Sequence, residues 1–298
     1  MRGVFDISGA SVYDDKITER YHFPSKYLPI AERVVGDWVV YRETRVNNGR
    51  MAYVSAAFLE QIERDKADPT HFYARVSKYF EFDGPVPYRS SDGIFLERFL
   101  RDLPKAGDAG RMLRGASVRI LEEADFSTII RRGLHDTLDP RNPFIEEMVV
   151  GTSSPVELFS ADRKSEAVLV NRLVRLASFR LHVLSAYDAT CAVTGLKVLD
   201  QKGKPEAQAA HILPVASGGP DTVRNGIALT STVHWLFDRH LFTIDENYRV
   251  VVGKADLPSQ LVSLLQPGRC IRLPANPNNH PSQDYLSLHR SQFYKRFQ

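Results

Sequence analysis

Cysteine and long apolar segments are both scarce in this chain. Only Cys191 and Cys270 occur among its 298 residues, which gives no disulfide framework and excludes a small secreted scaffold. No run of about 18 apolar residues is present, and the N-terminus lacks an apolar core followed by a cleavage site. We therefore expect a protein of the reducing cytoplasm, with neither a membrane span nor a secretory signal.

A large excess of charge of one sign is also missing. The 39 Lys and Arg and the 36 Asp and Glu residues leave a net charge of +3. This balance permits a nucleic-acid partner but does not require one, because attraction to phosphates depends on local clusters. The hydrophobic content of 43% and the charged content of 25% are typical of folded globular proteins. A chain of 298 residues exceeds most single domains, so two domains are expected.

The first part of the chain has the pattern of a mixed domain built around a β-sheet. Apolar and polar residues alternate over residues 33–63 on both sides of an Asn-Asn-Gly turn at 47–49, which predicts a β-hairpin. From residue 71 onward, aromatic and β-branched residues predict further strands, and a Gly-Pro pair at residue 84 is expected to interrupt them.

A change in pattern marks the boundary between two domains. The segment His135–Leu158 holds three prolines and shows little periodicity. We predict an N-terminal domain at residues 1–140, a linker at 141–162 and a C-terminal domain at 163–298.

The C-terminal domain begins with a predicted helix that carries several cations. Leucines recur at helical spacing from residue 169, which indicates one buried face. Arg172, Arg175 and Arg180 lie along the same segment and are candidates for contacts with the phosphate backbone of DNA. A solvated helix face with internal salt bridges explains these arginines equally well.

Residues 206–240 predict two short strands followed by a helix. A first strand, "EAQAAHILP", ends at His211; a turn-rich loop follows; "NGIALT" is the second strand and "STVHWLFDRH" the helix. In this ββα order, His211 on a strand, Asn225 at the end of the loop and His234 on the helix can converge. Asp238 follows His234 by four residues on the same helix face, and such a pair can hold a metal ion.

This layout resembles the HNH nuclease family, whose ββα-metal motif runs from a histidine through a Gly-Gly loop to an asparagine and a final histidine. The matching elements are "HILP", "SGGPD", "RNGIAL" and "VHWLFD", and the resemblance covers roughly residues 165–295. It implies that His211 accepts a proton from the attacking water and that Asn225 braces the loop and orients His211. It further implies a divalent cation, Mg²⁺ or Mn²⁺, held by His234 and Asp238 against the scissile phosphate.

Two departures from the family pattern concern metals. Many relatives have Asp or His directly before the general base as a metal ligand, whereas this chain has Ala210. Either Asp238 fills the gap, together with Glu206 or a water molecule, or metal binding is weak; we favour the first. Some relatives also brace the fold with two Cys-x-x-Cys pairs, but two cysteines exclude a structural four-cysteine zinc site, and Cys191 is expected in the core.

The N-terminal segment is similar to PUA-like domains, including EVE and ASCH relatives. The similarity rests on "VGDWVVYRE", "GRMAYVSAAFLEQI" and "PVPY", and it implies a small β-barrel-like domain. Some such domains bind a modified base extruded from nucleic acid between aromatic side chains. The resemblance makes Tyr21, Phe23, Trp38 and Tyr41 candidates for an aromatic cage and Asp37 a candidate acceptor. A core role explains each aromatic residue on its own at least as well.

Together the two resemblances predict an α+β protein, with an N-terminal PUA-like reader and a C-terminal ββα-metal HNH nuclease domain. The combination resembles modification-dependent restriction endonucleases, which implies double-stranded DNA with methylated or hydroxymethylated cytosine as the substrate. Two alternatives stay open: a type II restriction endonuclease that reads unmodified sequence, and a nucleic-acid-binding module whose HNH unit is inactive. Cutting both strands needs two active sites, which a homodimer on DNA would supply.

Overall fold

The structure is a computed structural model that describes residues 1–8, 15–103, 105–135, 163–201, 203–253 and 257–296. It divides into two compact units, one of Met1–Ile145 with Gly151–Val174 and one of Glu146–Val150 with Arg175–Gln298. The predicted linker at 141–162 lies outside the described residues, and the domain bounds stay predictions. Among the described residues, none of the helices has the length and apolar character of a membrane span.

The N-terminal unit is a mixed six-stranded sheet with short helices packed against it. The strand order is β2-β5-β4-β3-β1-β6, in which β1 and β3 are parallel and the other neighbours antiparallel. Its strands are β1 (Arg2–Ile7), β2 (Arg20–Pro24), β3 (Asp37–Glu43), β4 (Ala52–Arg64), β5 (His71–Pro87) and β6 (Val118–Leu121). Its helices are α1 (Leu28–Glu32), α2 (Arg98–Arg101), α3 (Ala109–Leu113), α4 (Glu123–Gly133) and the part of α5 (Arg163–Ala186) up to Val174.

This sheet is curled into a half-barrel. Three strands separate β2 from β1 in the sheet, which would place the two roughly 19 Å apart if the sheet were flat. The Tyr21 ring on β2 nevertheless stacks on the Phe5 ring on β1, with centroids 4.6 Å apart. The predicted mixed α+β domain around a curved sheet is therefore confirmed in this coarse form, with an open rather than a closed barrel among the described strands.

The hairpin predicted around residues 47–49 is confirmed as β3 and β4. Val39 pairs with Ala57, and the chain reverses through a 3-10 turn at Val46–Asn48. Asn48 has a φ of 58°, the left-handed conformation that Asn tolerates better than most residues. The chain therefore reverses direction at the Asn-Asn-Gly turn that the sequence predicted.

The interruption predicted at Gly84-Pro85 is wrong, because β5 continues through both residues to Pro87. The ladder between β4 and β5 shifts register here: Tyr53 pairs with Val86, but Ser55 pairs with Glu81. The extra residues on β5 form a bulge, and a bulge is one of the places where a strand accepts Gly and Pro.

A buried network of charges lies where β1, β3 and β6 meet. Asp6 accepts hydrogen bonds from Arg42 Nε at 2.8 Å and from Arg119 Nη1 at 2.9 Å. Arg119 Nε also donates to Glu97 Oε2 at 2.6 Å, and the Tyr53 hydroxyl donates to Glu97 Oε1 at 2.6 Å. Burial opposes ionisation of Glu97, but the Arg119 guanidinium outweighs it and lowers the pKa of the carboxyl. The charges are thus satisfied by one another inside the unit.

The C-terminal unit contains the predicted ββα order, which the structure confirms. It comprises the remainder of α5, β7 (Gln208–His211), β8 (Gly226–Leu229), α6 (Ser231–Asp238), β9 (Phe242–Ile244), β10 (Val250–Val252), α7 (Ser259–Leu265) and α8 (Gln283–Arg296). β7 pairs with β8 and β9 with β10, both antiparallel. Cys191 is fully buried in this unit's core, as predicted.

His289 on α8 ties the C-terminal end of α6 to the rest of this unit. Its ring stacks on Phe237 with centroids 3.8 Å apart, and its Nε2 is 3.0 Å from the Phe237 carbonyl oxygen. Because a carbonyl only accepts, Nε2 carries the proton and Nδ1 accepts from the Thr243 hydroxyl at 2.9 Å. Burial is the main cause that lowers the pKa of His289 to about 3.

We predict that His289 makes this unit sensitive to acid. Above about pH 6.5 the imidazole is neutral in both folded and unfolded chains, whereas from there down to about pH 3 only the unfolded chain takes up the proton. His289→Asn keeps a hydrogen-bonding side chain but cannot titrate. The free energy of unfolding of this variant in urea should be lower than that of wild type at pH 7.5. The difference between the two free energies should narrow by up to about 1.4 kcal/mol per pH unit below pH 6, because only wild type loses stability there. A gap that stays constant from pH 7.5 to pH 4.5 would contradict this account.

Candidate active site

The strand pair β7–β8 brings the two ends of the loop that separates them together. His211, the last residue of β7, pairs with Gly226, the first residue of β8. A Cβ on Gly226 would lie 2.3 Å from Val183 Cγ2 and 3.0 Å from the Phe179 ring, so glycine lets α5 pack directly on the strands. His211 is therefore set against α5 by the packing of the unit's core.

Asn225 closes the loop between the two strands. It is fully buried, and its Oδ1 accepts from Leu213 N at 2.9 Å while its Nδ2 donates to the carbonyls of Leu213 at 2.9 Å and Pro220 at 3.0 Å. A Cβ on Gly219 would lie 1.8 Å from the Leu213 oxygen, so this position accepts only glycine. These hydrogen bonds are the kind expected of a residue that holds the loop in place.

The His211 imidazole is held on two sides. Its ring lies parallel to the Phe179 ring, with centroids 3.8 Å apart and planes 9° apart. Its Nε2 is 3.0 Å from Asp221 Oδ1, in the loop that Asn225 closes. The other carboxylate oxygen of Asp221 is 3.8 Å from Arg175 Nε.

His234 and Asp238 form a second pair on α6. His234 Nε2 is 3.3 Å from Asp238 Oδ2, and His234 Nδ1 is 2.7 Å from Gln208 Oε1 on β7. Gln208 in turn donates from Nε2 to the Ser231 hydroxyl at 3.1 Å, which orients its amide with the oxygen toward His234. Nδ1 thus donates to Gln208, which leaves the Nε2 lone pair directed to the side of Asp238.

The His211–Asp221 pair and the His234–Asp238 pair lie on opposite sides of β7. Gln208 and His211 are three residues apart on the strand, so their side chains leave opposite faces. Ala210, where many relatives have a metal ligand, shares the face of Gln208 and is fully buried. Position 210, where those relatives have a metal ligand, therefore lies on the same side of the strand as His234.

A cluster of three or more His, Cys, Asp or Glu side chains arranged to hold a metal ion is not found among the described residues. Glu206, considered as an additional ligand, has its Oε1 2.9 Å from Ser231 N and caps the start of α6. The protein donors that the structure offers at this position are therefore His234 Nε2 and Asp238 Oδ2.

The three candidate arginines on α5 differ in exposure. Arg175 is exposed and near Asp221, whereas Arg172 and Arg180 are half-buried. Arg175 is therefore the member of the set with the freest access to a phosphate, and its contact with DNA stays a prediction.

The five candidate residues for a base pocket do not come together in the N-terminal unit. Tyr21, Phe23 and Tyr41 belong to the concave core, whereas Trp38 packs edge-on against Phe58 and Phe80. Trp38 and Tyr41 are three residues apart on β3, so a strand directs them to opposite faces. Asp37 is engaged by Arg2 and by the terminal amine. Tyr21, Phe23 and Tyr41 thus share one core, and strand alternation separates Trp38 from them, so the structure does not bring the five residues together in one cage.

A cleft of about 790 Å³ lies instead beside the buried charge network of the same unit. Its walls include three tyrosines and several polar side chains, among them Tyr21, Tyr27, Tyr88, Asp6, Arg42 and Thr44. Its volume and mixed lining fall within the range of small-molecule sites in proteins. Tyr21 is the one member of the predicted cage that lines it.

Asp221 and Gln208 are the site residues that the sequence did not reveal. Each hydrogen-bonds a candidate histidine that is far from it in sequence, ten residues away for Asp221 and 26 for Gln208. The carboxylate inside the "SGGPD" loop was the available signal for Asp221. Gln208 carries no comparable signal, because a single glutamine on a strand is common.

Comparison with known proteins agrees with the site's geometry. Residues 191–245 match the HNH endonuclease family, a range that contains β7, β8 and α6. Residues 191–245 thus form an HNH endonuclease domain.

Two solved structures are similar over longer ranges. The modification dependent TagI restriction endonuclease has a TM-score of 0.31 and 15% identity, covering 97% of this chain and 81% of that one. The type IV phosphorothioation-dependent restriction endonuclease ScoMcrA has a TM-score of 0.20 and 16% identity, covering 78% of this chain and 48% of that one. No curated protein sequence matches the chain.

We predict that Asn225→Ala destabilises the C-terminal unit. The substitution leaves Leu213 N and Leu213 O without their partner and removes one of the two hydrogen bonds that the Pro220 carbonyl accepts, which should lower the free energy of unfolding by about 2–3 kcal/mol. Urea unfolding measures this change. Asn247→Ala, at an exposed position in the β9–β10 turn, is the matched control and should stay within about 0.5 kcal/mol of wild type. Equal stability of the two variants would rule out the bracing role.

Proposed function

We propose that this chain is a metal-dependent DNA endonuclease of the restriction type, with His211 as general base, that prefers DNA containing methylated or hydroxymethylated cytosine. The observation that carries the proposal is the buried His211 imidazole at the end of β7, fixed between Phe179 and Asp221 inside an HNH domain. An imidazole held in one orientation is suited to act as a general base.

The chemistry assigned to His211 is removal of a proton from the attacking water. The water oxygen then forms a bond to phosphorus as the bond to the 3′ oxygen breaks. Packing on Phe179 keeps the imidazole from turning out of the site, and the loop closed by Asn225 keeps the neighbouring backbone in place. Fixed orientation of the base is one source of rate acceleration.

The side of β7 that carries His234 fits a divalent cation. One imidazole nitrogen and one carboxylate oxygen 3.3 Å apart are a donor set that Mg²⁺ or Mn²⁺ accepts when water and phosphate oxygens occupy the other positions. When bound there, the cation would stabilise the charge on the scissile phosphate and the leaving oxygen. Gln208 orients His234 for this role by accepting from its Nδ1.

The cleft of the N-terminal unit is the proposed site of the modified base. It has room for an extruded nucleobase, tyrosine rings to stack against it, and the Thr44 side chain as a hydrogen-bonding group. The Tyr88 ring, half-buried at the cleft and near the Arg42 guanidinium, is a candidate stacking partner. The cleft thereby replaces the cage inferred from the sequence.

We expect His211→Ala to abolish cleavage of supercoiled DNA in the presence of Mg²⁺ or Mn²⁺, by about 10²–10⁴-fold in rate, because the imidazole acts in the chemical step. DNA binding measured by gel shift should be unchanged. His280→Ala, a half-buried histidine of the same unit bonded to the Pro274 carbonyl, is the control and should cut normally. Cleavage by His211→Ala would show that the base is misassigned, and no cleavage by wild type with any divalent metal would favour an inactive binding module.

The preference for modified DNA is tested with one duplex prepared with cytosine, 5-methylcytosine or 5-hydroxymethylcytosine. We expect a modified duplex to be cut at least about tenfold faster, and Tyr88→Ala to remove the preference without removing cleavage, since stacking contributes about 1–3 kcal/mol per base. Phe99→Ala, an exposed aromatic residue of the same unit outside the cleft lining, is the control. Equal rates on all three duplexes would favour a type II enzyme that reads unmodified sequence.

A further inference from the structure

Stacking on Phe179 alone does not determine which edge of the His211 ring carries the basic nitrogen. The two rings are parallel to within 9°, so a half-turn of the imidazole about its Cβ–Cγ bond would preserve the stack while exchanging its two edges. The contact that distinguishes the edges is that of Asp221, whose Oδ1 lies 3.0 Å from Nε2. One carboxylate thus selects the orientation and the tautomer of the ring.

Asp221 is itself fixed by the loop in which it lies. Asn225 Nδ2 bonds the carbonyl of Pro220, the residue directly before Asp221. On the far side, Arg175 Nε is 3.8 Å from Asp221 Oδ2. The Arg175 side chain is about half exposed, so this ion pair contributes little to stability but helps to orient the Asp221 carboxylate. The Asp221 side chain is largely buried, and water competes little for the oxygen that faces His211.

We propose that Asp221 is a positioning residue that sets the reactive tautomer of His211; this inference rests on the proposed function. An ionised carboxylate only accepts hydrogen bonds, so His211 Nε2 carries the proton and Nδ1 holds the lone pair. In the chemical step one proton passes from water to Nδ1, and the remaining hydroxide oxygen attacks phosphorus. The imidazolium then carries a proton on both nitrogens, with Asp221 still ionised against Nε2–H, and later releases the Nδ1 proton to solvent.

The kinetic test uses Asp221→Asn and Asp221→Glu on the full chain with modified duplex DNA and Mg²⁺. We expect Asp221→Asn to lower kcat by about 10–100-fold with KM for DNA within about twofold, because an amide presents an acceptor and a donor to Nε2 and no longer favours one tautomer. Asp221→Glu should recover part of kcat. Asp245→Asn is the matched control, since its carboxylate accepts from Asn247 N and Arg249 N in the β9–β10 turn.

The tautomer itself is read from long-range ¹H–¹⁵N spectra of protein labelled at histidine, with the His211 signals assigned by their loss in His211→Ala. Wild type should show a protonated Nε2 and an unprotonated Nδ1, and Asp221→Asn should show a mixture of both tautomers or the opposite one. This readout needs no cleavage, and a purely structural role of Asp221 would not change it. Wild-type spectra with the proton on Nδ1 would overturn the proposal.

The outcomes separate the two proposals. If His211→Ala still cuts, the proposed function loses its general base, whatever Asp221 does. If His211→Ala is inactive while Asp221→Asn keeps the kcat and the His211 tautomer of wild type, only the positioning role of Asp221 fails. A third outcome would also overturn the positioning role of Asp221. If Asp221→Asn and Asp221→Glu both lose DNA binding while kcat at saturating DNA is unchanged, Asp221 contacts DNA instead.

Discussion

The closure of the loop between β7 and β8 by the Asn225 amide is the constraint on which the candidate active site depends. Two of its three hydrogen bonds join Asn225 to Leu213 at the other end of the loop, the third holds the Pro220 carbonyl, and the Asn225 side chain is fully buried. Loss of the two bonds to Leu213 would leave its backbone N–H and C=O without a partner, which favours this arrangement of the loop. That arrangement sets Asp221 against His211, and the dense packing of α5 on Gly226 sets His211 against Phe179.

The same unit holds two histidines through different ring nitrogens, one against a carboxylate and one against a side-chain amide. His211 faces a carboxylate through Nε2, whereas His234 faces the Gln208 amide oxygen through Nδ1. The Gln208 amide oxygen favours a proton on Nδ1 of His234, whereas the role proposed for Asp221 places the proton of His211 on Nε2. In the proposed function the His211 imidazole transfers a proton and the His234 imidazole binds a metal ion, although both occur within one ββα unit.

Charge has a different role in the N-terminal unit. Asp6, Arg42, Arg119 and Glu97 neutralise one another in the interior instead of forming a surface that attracts DNA. Breaking one partner of such a network leaves an uncompensated buried charge, so the network restricts how this part of the sheet can be changed. Two of its members, Asp6 and Arg42, also line the cleft.

The sequence by itself determined the ββα order, the hairpin of β3 and β4 and the buried Cys191, because these depend on local periodicity, turn residues and composition. It singled out His211, Asn225, His234 and Asp238 as candidate site residues through the order of a short motif. Only the tertiary structure decided their partners, since Asp221, Gln208 and Phe179 reach them through loop closure and helix packing. It also separated Trp38 from Tyr41, because strand alternation and sheet curvature, not the presence of aromatic residues, decide which side chains share a cavity.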